Sequence, residues 1–102
     1  MTRTQDQLDA EKGRQAGEVL NNPSFVEAMA QLKAQVNLQW RESSIRDVEG
    51  QKLLLQMARV TDEFENILIR MLQGGIAAQR KIDLNKMRDE PAARKFFRKV
   101  TG

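Results

Sequence analysis

Asp62, Glu63 and Glu65 are the first residues in this chain whose types could do chemistry, because clustered carboxylates are the hard oxygen ligands that Mg²⁺ takes. They fall on the solvated side of a helical pattern, where such a run is ordinary surface charge. Ser24, Ser43 and Ser44 would need a general base to become nucleophiles, and the chain has no His. All three stand where helix caps and turns use serine. With no Cys, disulfides, zinc ribbons and thiol catalysis are excluded as well. The pair Gly74-Gly75 belongs to neither a GxGxxG nor a GxxxxGK[ST] loop, so nothing marks a phosphate cradle. These residues point away from an enzyme and imply no cofactor, no metal and no small-molecule substrate.

The charge distribution is more informative than the net +3. Residues 1–75 carry nine basic and eleven acidic side chains, a net −2. Residues 76–102 carry eight basic and three acidic ones, a net +5. The eight are Arg80, Lys81, Lys86, Arg88, Arg94, Lys95, Arg98 and Lys99, an electrostatic footprint for phosphates or an acidic protein surface. Phe96 and Phe97 sit between two of these basic pairs, so an aromatic anchor steered into a partner's groove is a second use of the same tail. A basic tail by itself reads no base sequence. No compact helix-turn-helix is apparent, so DNA contact should be non-specific and salt-sensitive.

The elements that must carry these residues read as helices. Aromatics are only 5% of the chain and charged residues 30%, a balance that favours long amphipathic helices over a sheet sandwich. Residues 4–22 form a marginal helix, weakened by Gly13 and Gly17 at about 1 kcal/mol each relative to Ala, which needs a partner surface. Asn22-Pro23-Ser24 starts a second helix, either through Pro at the first helical position or through a capping box of Ser24 with Glu27. Its apolar residues Phe25, Met29, Leu32, Val36 and Trp40 define a stripe only about 80° wide. The connector 43–47 is short enough to make the following helix an antiparallel neighbour.

That following helix carries the strongest pattern in the chain. Leu53, Met57, Val60, Phe64, Ile67 and Met71 recur at heptad spacing, a coiled-coil seam. Leu54, Ala58, Leu68, Ile69 and Leu72 widen the apolar arc to roughly 200°, more than one narrow partner covers. The surplus must face another subunit or the N-terminal helix folding back. Burial of each further aliphatic side chain is worth roughly 1.5–3 kcal/mol. Leu54, Phe64, Leu68, Ile69 and Leu72 are therefore the expected oligomer interface. Gly74-Gly75 fits a helix C-terminus, with a kink in a longer helix as the alternative. The resulting expectation is an all-α protein: a long antiparallel helical hairpin with a marginal N-terminal helix (1–75), then a basic C-terminal helical tail (76–102), assembled as a homo-oligomer. No apolar run approaches the ~18 residues of a membrane span, and the N-terminus has no signal-peptide pattern, so no membrane is expected.

The stretch from Glu11 to Leu54 also resembles a set of small proteins of tailed bacteriophages. Their pattern is an "L-x-N-x-x-F-x-E-A" element, here Leu20, Asn22, Phe25, Glu27 and Ala28. It is followed by "W-R-x-[ST]", here Trp40, Arg41 and Ser43, and by Asp47, Glu49, Gly50 and Leu53. The resemblance fades toward Gly74-Gly75 and leaves out the basic tail. It implies a place among virion-assembly functions, in the host cytoplasm or associated with the virion. An oligomerising hairpin with a basic tail is similar in architecture to terminase small subunits, which form rings, engage viral DNA and regulate the large terminase. The separate DNA-binding domain of many small terminases has no counterpart here. The expected function is DNA packaging, with a second copy, duplex DNA and a large terminase, portal or coat protein as partners. Two other readings are a scaffolding or head-completion protein gripping coat or portal, and a small host-takeover protein that inhibits a bacterial enzyme.

Overall fold

A computed structural model describes residues 3–88, which are about 90% helical and contain no strand. Helix α1 spans Gln5–Leu20, α2 spans Pro23–Glu42 and α3 spans Val48–Arg88. At 41 residues α3 is about 60 Å long. The radius of gyration is 22.3 Å, against about 13 Å for a compact domain of this length. The other two helices lie along α3 in series, α1 against its C-terminal half and α2 against its N-terminal half.

Local chemistry accounts for the helix boundaries. Thr4 and Gln7 close a capping box at the start of α1, with Gln7 N–H donating to Thr4 Oγ1 at 3.2 Å and Thr4 N–H to Gln7 Oε1 at 3.0 Å. Helix α2 starts through Pro23 in the first turn, with Asn22 as the cap: Asn22 Oδ1 accepts from the backbone of Ser24 at 2.9 Å and of Phe25 at 3.2 Å. Asn22, rather than the Ser24–Glu27 pair, is thus the capping residue. Ser43 closes α2, its hydroxyl donating to the Trp40 carbonyl at 2.6 Å. Asp47 then opens α3 by accepting from Gly50 N–H at 3.0 Å.

Gly74-Gly75 does not end a helix. Helix α3 continues through both glycines to Arg88, and neither adopts positive φ. The reason lies in α1. A Cβ placed on Gly75 would stand 2.5 Å from Gly13 Cα and 3.1 Å from the Asp9 carbonyl oxygen. A Cβ placed on Gly13 would stand 2.5 Å from Gly75 Cα and 2.8 Å from the Met71 carbonyl oxygen. The two helices cross with their backbones in contact, which only paired glycines permit. Gly74, one residue away, faces open space. Ala16, 2% exposed, and Gly17 against Leu72 continue the α1 contact. The glycines that weaken α1 as an isolated helix are therefore what docks it.

Helix α2 packs nearer the start of α3, on the stripe that continues into the α1 contact through Leu72, Gly75 and Ile82. Leu54, Ala58, Thr61, Glu65, Leu68 and Leu72 are the buried or half-buried positions of that stretch, again at heptad spacing. Phe25 meets Phe64 with ring centroids 6.1 Å apart, and Lys33 Nζ reaches Glu65 Oε1 at 3.0 Å. Thr61, the one polar side chain buried here, satisfies its hydroxyl on the Met57 carbonyl at 2.8 Å. The buried hydrophobic set is small: Ala16, Met29, Val36 and Ala78. Among the described residues no large side chain is fully buried.

Candidate assembly surface and nucleic-acid interface

The heptad seam of α3 is on the outside. Leu53, Met57, Val60, Phe64, Ile67 and Met71 are between 38% and 68% exposed, although their spacing is the one expected to meet α2. The stripe beside it holds that contact instead. Two apolar stripes one position apart are equivalent by periodicity, and side-chain volume separates them. Ala58 and Thr61 are small enough for α2 to approach, whereas Met57 and Val60 would hold it away, and Phe64 meets α2 through Phe25 in its first turn.

Of the residues expected at an oligomer interface, Leu54, Leu68 and Leu72 are half-buried. Leu54 lines the cleft between α2 and α3, and Leu72 lies against Gly17 of α1. Phe64 and Ile69 remain exposed. The free surface is thus Phe64 with its seam neighbours, flanked on the open side by Glu63 and Arg70, which bridge each other at 2.7 Å. After Met71 the seam spacing falls on the exposed Gly74 and then on Ala78, which is buried where α1 crosses, while Gly75 and Ile82 continue the stripe of Leu68 and Leu72. Helix α1 therefore lies mainly on the stripe that α2 also uses and leaves the seam from Leu53 to Gly74 bare.

Arg80, Lys81, Lys86 and Arg88 all lie on the exposed surface of the last turns of α3, but they do not make one patch. Lys81 and Arg88, seven residues apart, share a face, and Arg80 is about 100° round from Lys81. Lys86 instead lines an open cleft of about 640 Å³ between α1 and α3, together with Arg3, Arg14 and the apolar side chains of Leu72, Ile76 and Ile82. Arg14 is paired with Glu11 and Glu18 on its own helix. Its hydrogen bond holds the Glu11 carboxyl below the usual glutamate range, and the carboxylates raise Arg14 in turn. Arg94, Lys95, Phe96, Phe97, Arg98 and Lys99 lie outside the described residues.

The acidic run 62–65 divides among different contacts, Glu63 on Arg70 and Glu65 on Lys33. Among the described residues no group of three or more acidic side chains is arranged to hold a metal ion, and no helix is long and apolar enough to cross a membrane. Comparison with family models, with curated proteins and with solved structures found no match.

Sequence reasoning identified both stripes of α3 but missed the Gly13–Gly75 crossing. The signal was present in the small residues at positions 13, 16 and 17 of one helix and 75 and 78 of another. Small residues at such spacing on two helices allow close backbone approach.

Proposed function

We propose that this chain is a non-enzymatic assembly protein acting in phage DNA packaging, of the terminase small-subunit kind. In this reading α2 and α3 form an antiparallel hairpin, a direction supported by Phe25 lying near Phe64 while Trp40 lies near Leu54. Copies of the chain associate through α3, and the basic residues from Arg80 onward contact DNA or the packaging motor. The observation that carries the reading is the bare apolar seam from Leu53 to Met71 in a chain whose own core is very small. Exposed contiguous apolar surface of this kind marks an interaction site. It is followed on the same helix by Arg80, Lys81, Lys86 and Arg88. The phage setting rests on the resemblance at Leu20–Leu53.

The test is native mass with and without duplex DNA, followed by binding across a salt series. The full chain should be oligomeric and bind duplex non-specifically. Six or more phosphate contacts would lower affinity about a thousandfold between 50 and 200 mM salt. Truncation after Asn85 removes six of the eight basic residues and should abolish DNA binding while leaving the oligomer intact. An oligomer without DNA affinity that co-assembles with coat or portal protein would replace this reading with the scaffolding one.

A further inference from the structure

We propose that the bare face of α3 pairs with the same face of a second copy over Val60–Met71, in an antiparallel two-fold pairing. Val60 of each chain then lies against Met71 of the other, and Phe64 against Ile67. This rests on the oligomeric reading above and adds to it the surface, the direction and the register.

Three observations select this occupant. The first is spacing. The seam repeats at 4-3-4-3-4 over about 27 Å, the pattern by which one helix interlocks with another of its kind. In this register Val60, Phe64, Ile67 and Met71 meet their counterparts and at their observed exposures present roughly 400 Å² per copy, a small interface beside the ~800 Å² per partner of a standard one.

The second is the rim. Glu63 and Arg70 border the open side of the seam and bridge each other within the chain. A two-fold axis between Phe64 and Ile67 brings Glu63 of one copy within about two residues of the level of Arg70 of the other, roughly 3 Å along the axis. Both bridges re-form between chains, as an isologous interface requires. In a parallel pairing Glu63 and Arg70 would face the partner's α2 side, with no opposite charge supplied by the same rim.

The third is the charge of the helix ends. Residues 76–88 carry Arg80, Lys81, Lys86 and Arg88 against Asp83 alone, a net +3, while residues 43–55 carry Arg46 and Lys52 against Asp47 and Glu49, a net zero. The antiparallel register sets these two stretches level with each other. A parallel one would place two stretches of net charge +3 side by side.

The chain contains no cysteine, so introduced ones are unambiguous reporters. The double variant Val60→Cys/Met71→Cys should oxidise to a covalent dimer, and so should a mixture of the two single variants. Neither single variant alone should cross-link, because like positions would be about 16 Å apart along the axis. Arg70→Glu should weaken dimerisation about tenfold, with two bridges lost per dimer. Adding Glu63→Lys to it should restore the association. Single variants that cross-link with themselves would establish a parallel pairing and overturn the proposal while leaving the oligomeric reading intact. An oligomer that forms no cross-link in any variant would show that another face assembles it. A monomer by native mass at every concentration would overturn both.

Discussion

Replacing Gly75 by Ala and, separately, its neighbour Gly74 by Ala should shift stability in opposite directions. Both glycines are in the interior of α3, where Ala is favoured over Gly by about 1 kcal/mol. At Gly74 the new methyl enters open space, so that gain is realised in full. In the two-fold pairing a flexible methionine, Met57 of the second copy, lies across from it and can yield. At Gly75 the methyl would stand 2.5 Å from Gly13 Cα and 3.2 Å from Gly13 N. Carbon atoms pack at about 3.5–4.0 Å, so α1 must move outward by ~1 Å or more. Because the obstruction is backbone, no rotamer change relieves it. Overpacking of this sort costs about 1–3 kcal/mol, and Ala16 and Leu72 lose contact as the helix lifts. The two neighbouring substitutions should therefore differ by about 2–3 kcal/mol, or ~10–20 °C in melting temperature at matched protein concentration. Thermal melts by far-ultraviolet circular dichroism measure this directly. Equal melting temperatures for the two variants would refute the close crossing and, with it, the docking of α1 at this place.

Other perturbations bear on other parts of the molecule. Val60→Glu, on the seam, should dissociate the oligomer with little loss of helix content, seen as a lower mass at unchanged ellipticity; a mass that stays high would remove the seam from the interface. Leu72→Ala should lower the melting temperature of the chain at every concentration, since its contact with Gly17 is internal; truncation of a part-buried leucine typically costs about 2 kcal/mol. Glu11 is held below its usual pKa by the Arg14 hydrogen bond, so the contribution of that pair is present above the usual glutamate range and fades as acidification passes through the lowered value. Amide protection in α1, taken relative to the intrinsic exchange rate at each pH, should accordingly fall at acid pH, and Arg14→Gln should flatten that dependence.

The helices of this protein were readable because each carries local signals that agree with its periodicity. Asn22-Pro23 starts α2 and Ser43 ends it, and the connector 43–47 separates α2 from α3 where its polar run predicts. The end of α3 was not readable, because a glycine pair has the same appearance whether it stops a helix or admits another backbone. Only the presence of Gly13 opposite Gly75 decides, and that pairing joins residues more than sixty positions apart. The choice between the two stripes of α3 was hidden for a related reason. Periodicity fixes which residues share a face, but the approach of α2 is decided by volume, and Ala58 and Thr61 present the lower surface. The candidate site was legible as a composition, an apolar face followed by a basic segment. Its geometry was not, because Lys86 turns toward the α1 cleft while Lys81 and Arg88 face away.

Helices α1 and α2 share one stripe of α3, which gives α1 a definable role beside the proposed assembly. Positions 54, 58, 61, 65 and 68 are covered where α2 lies, and the same heptad spacing continues through Leu72, Gly75 and Ile82, where α1 lies. Without α1, Leu72, Ala78 and Ile82 would join the bare seam and widen the apolar surface open to a partner. A wider apolar face admits neighbouring helices in more than one register. Deletion of residues 1–21 should therefore leave association intact but make it heterogeneous. Native mass spectrometry should show species larger than the single assembly of the full chain, and the Val60→Cys/Met71→Cys cross-link should lose yield to alternative pairings. If the shortened chain gives the same single mass and the same cross-link yield, the register is set by the seam and its Glu63–Arg70 rim alone, and α1 plays no part in it.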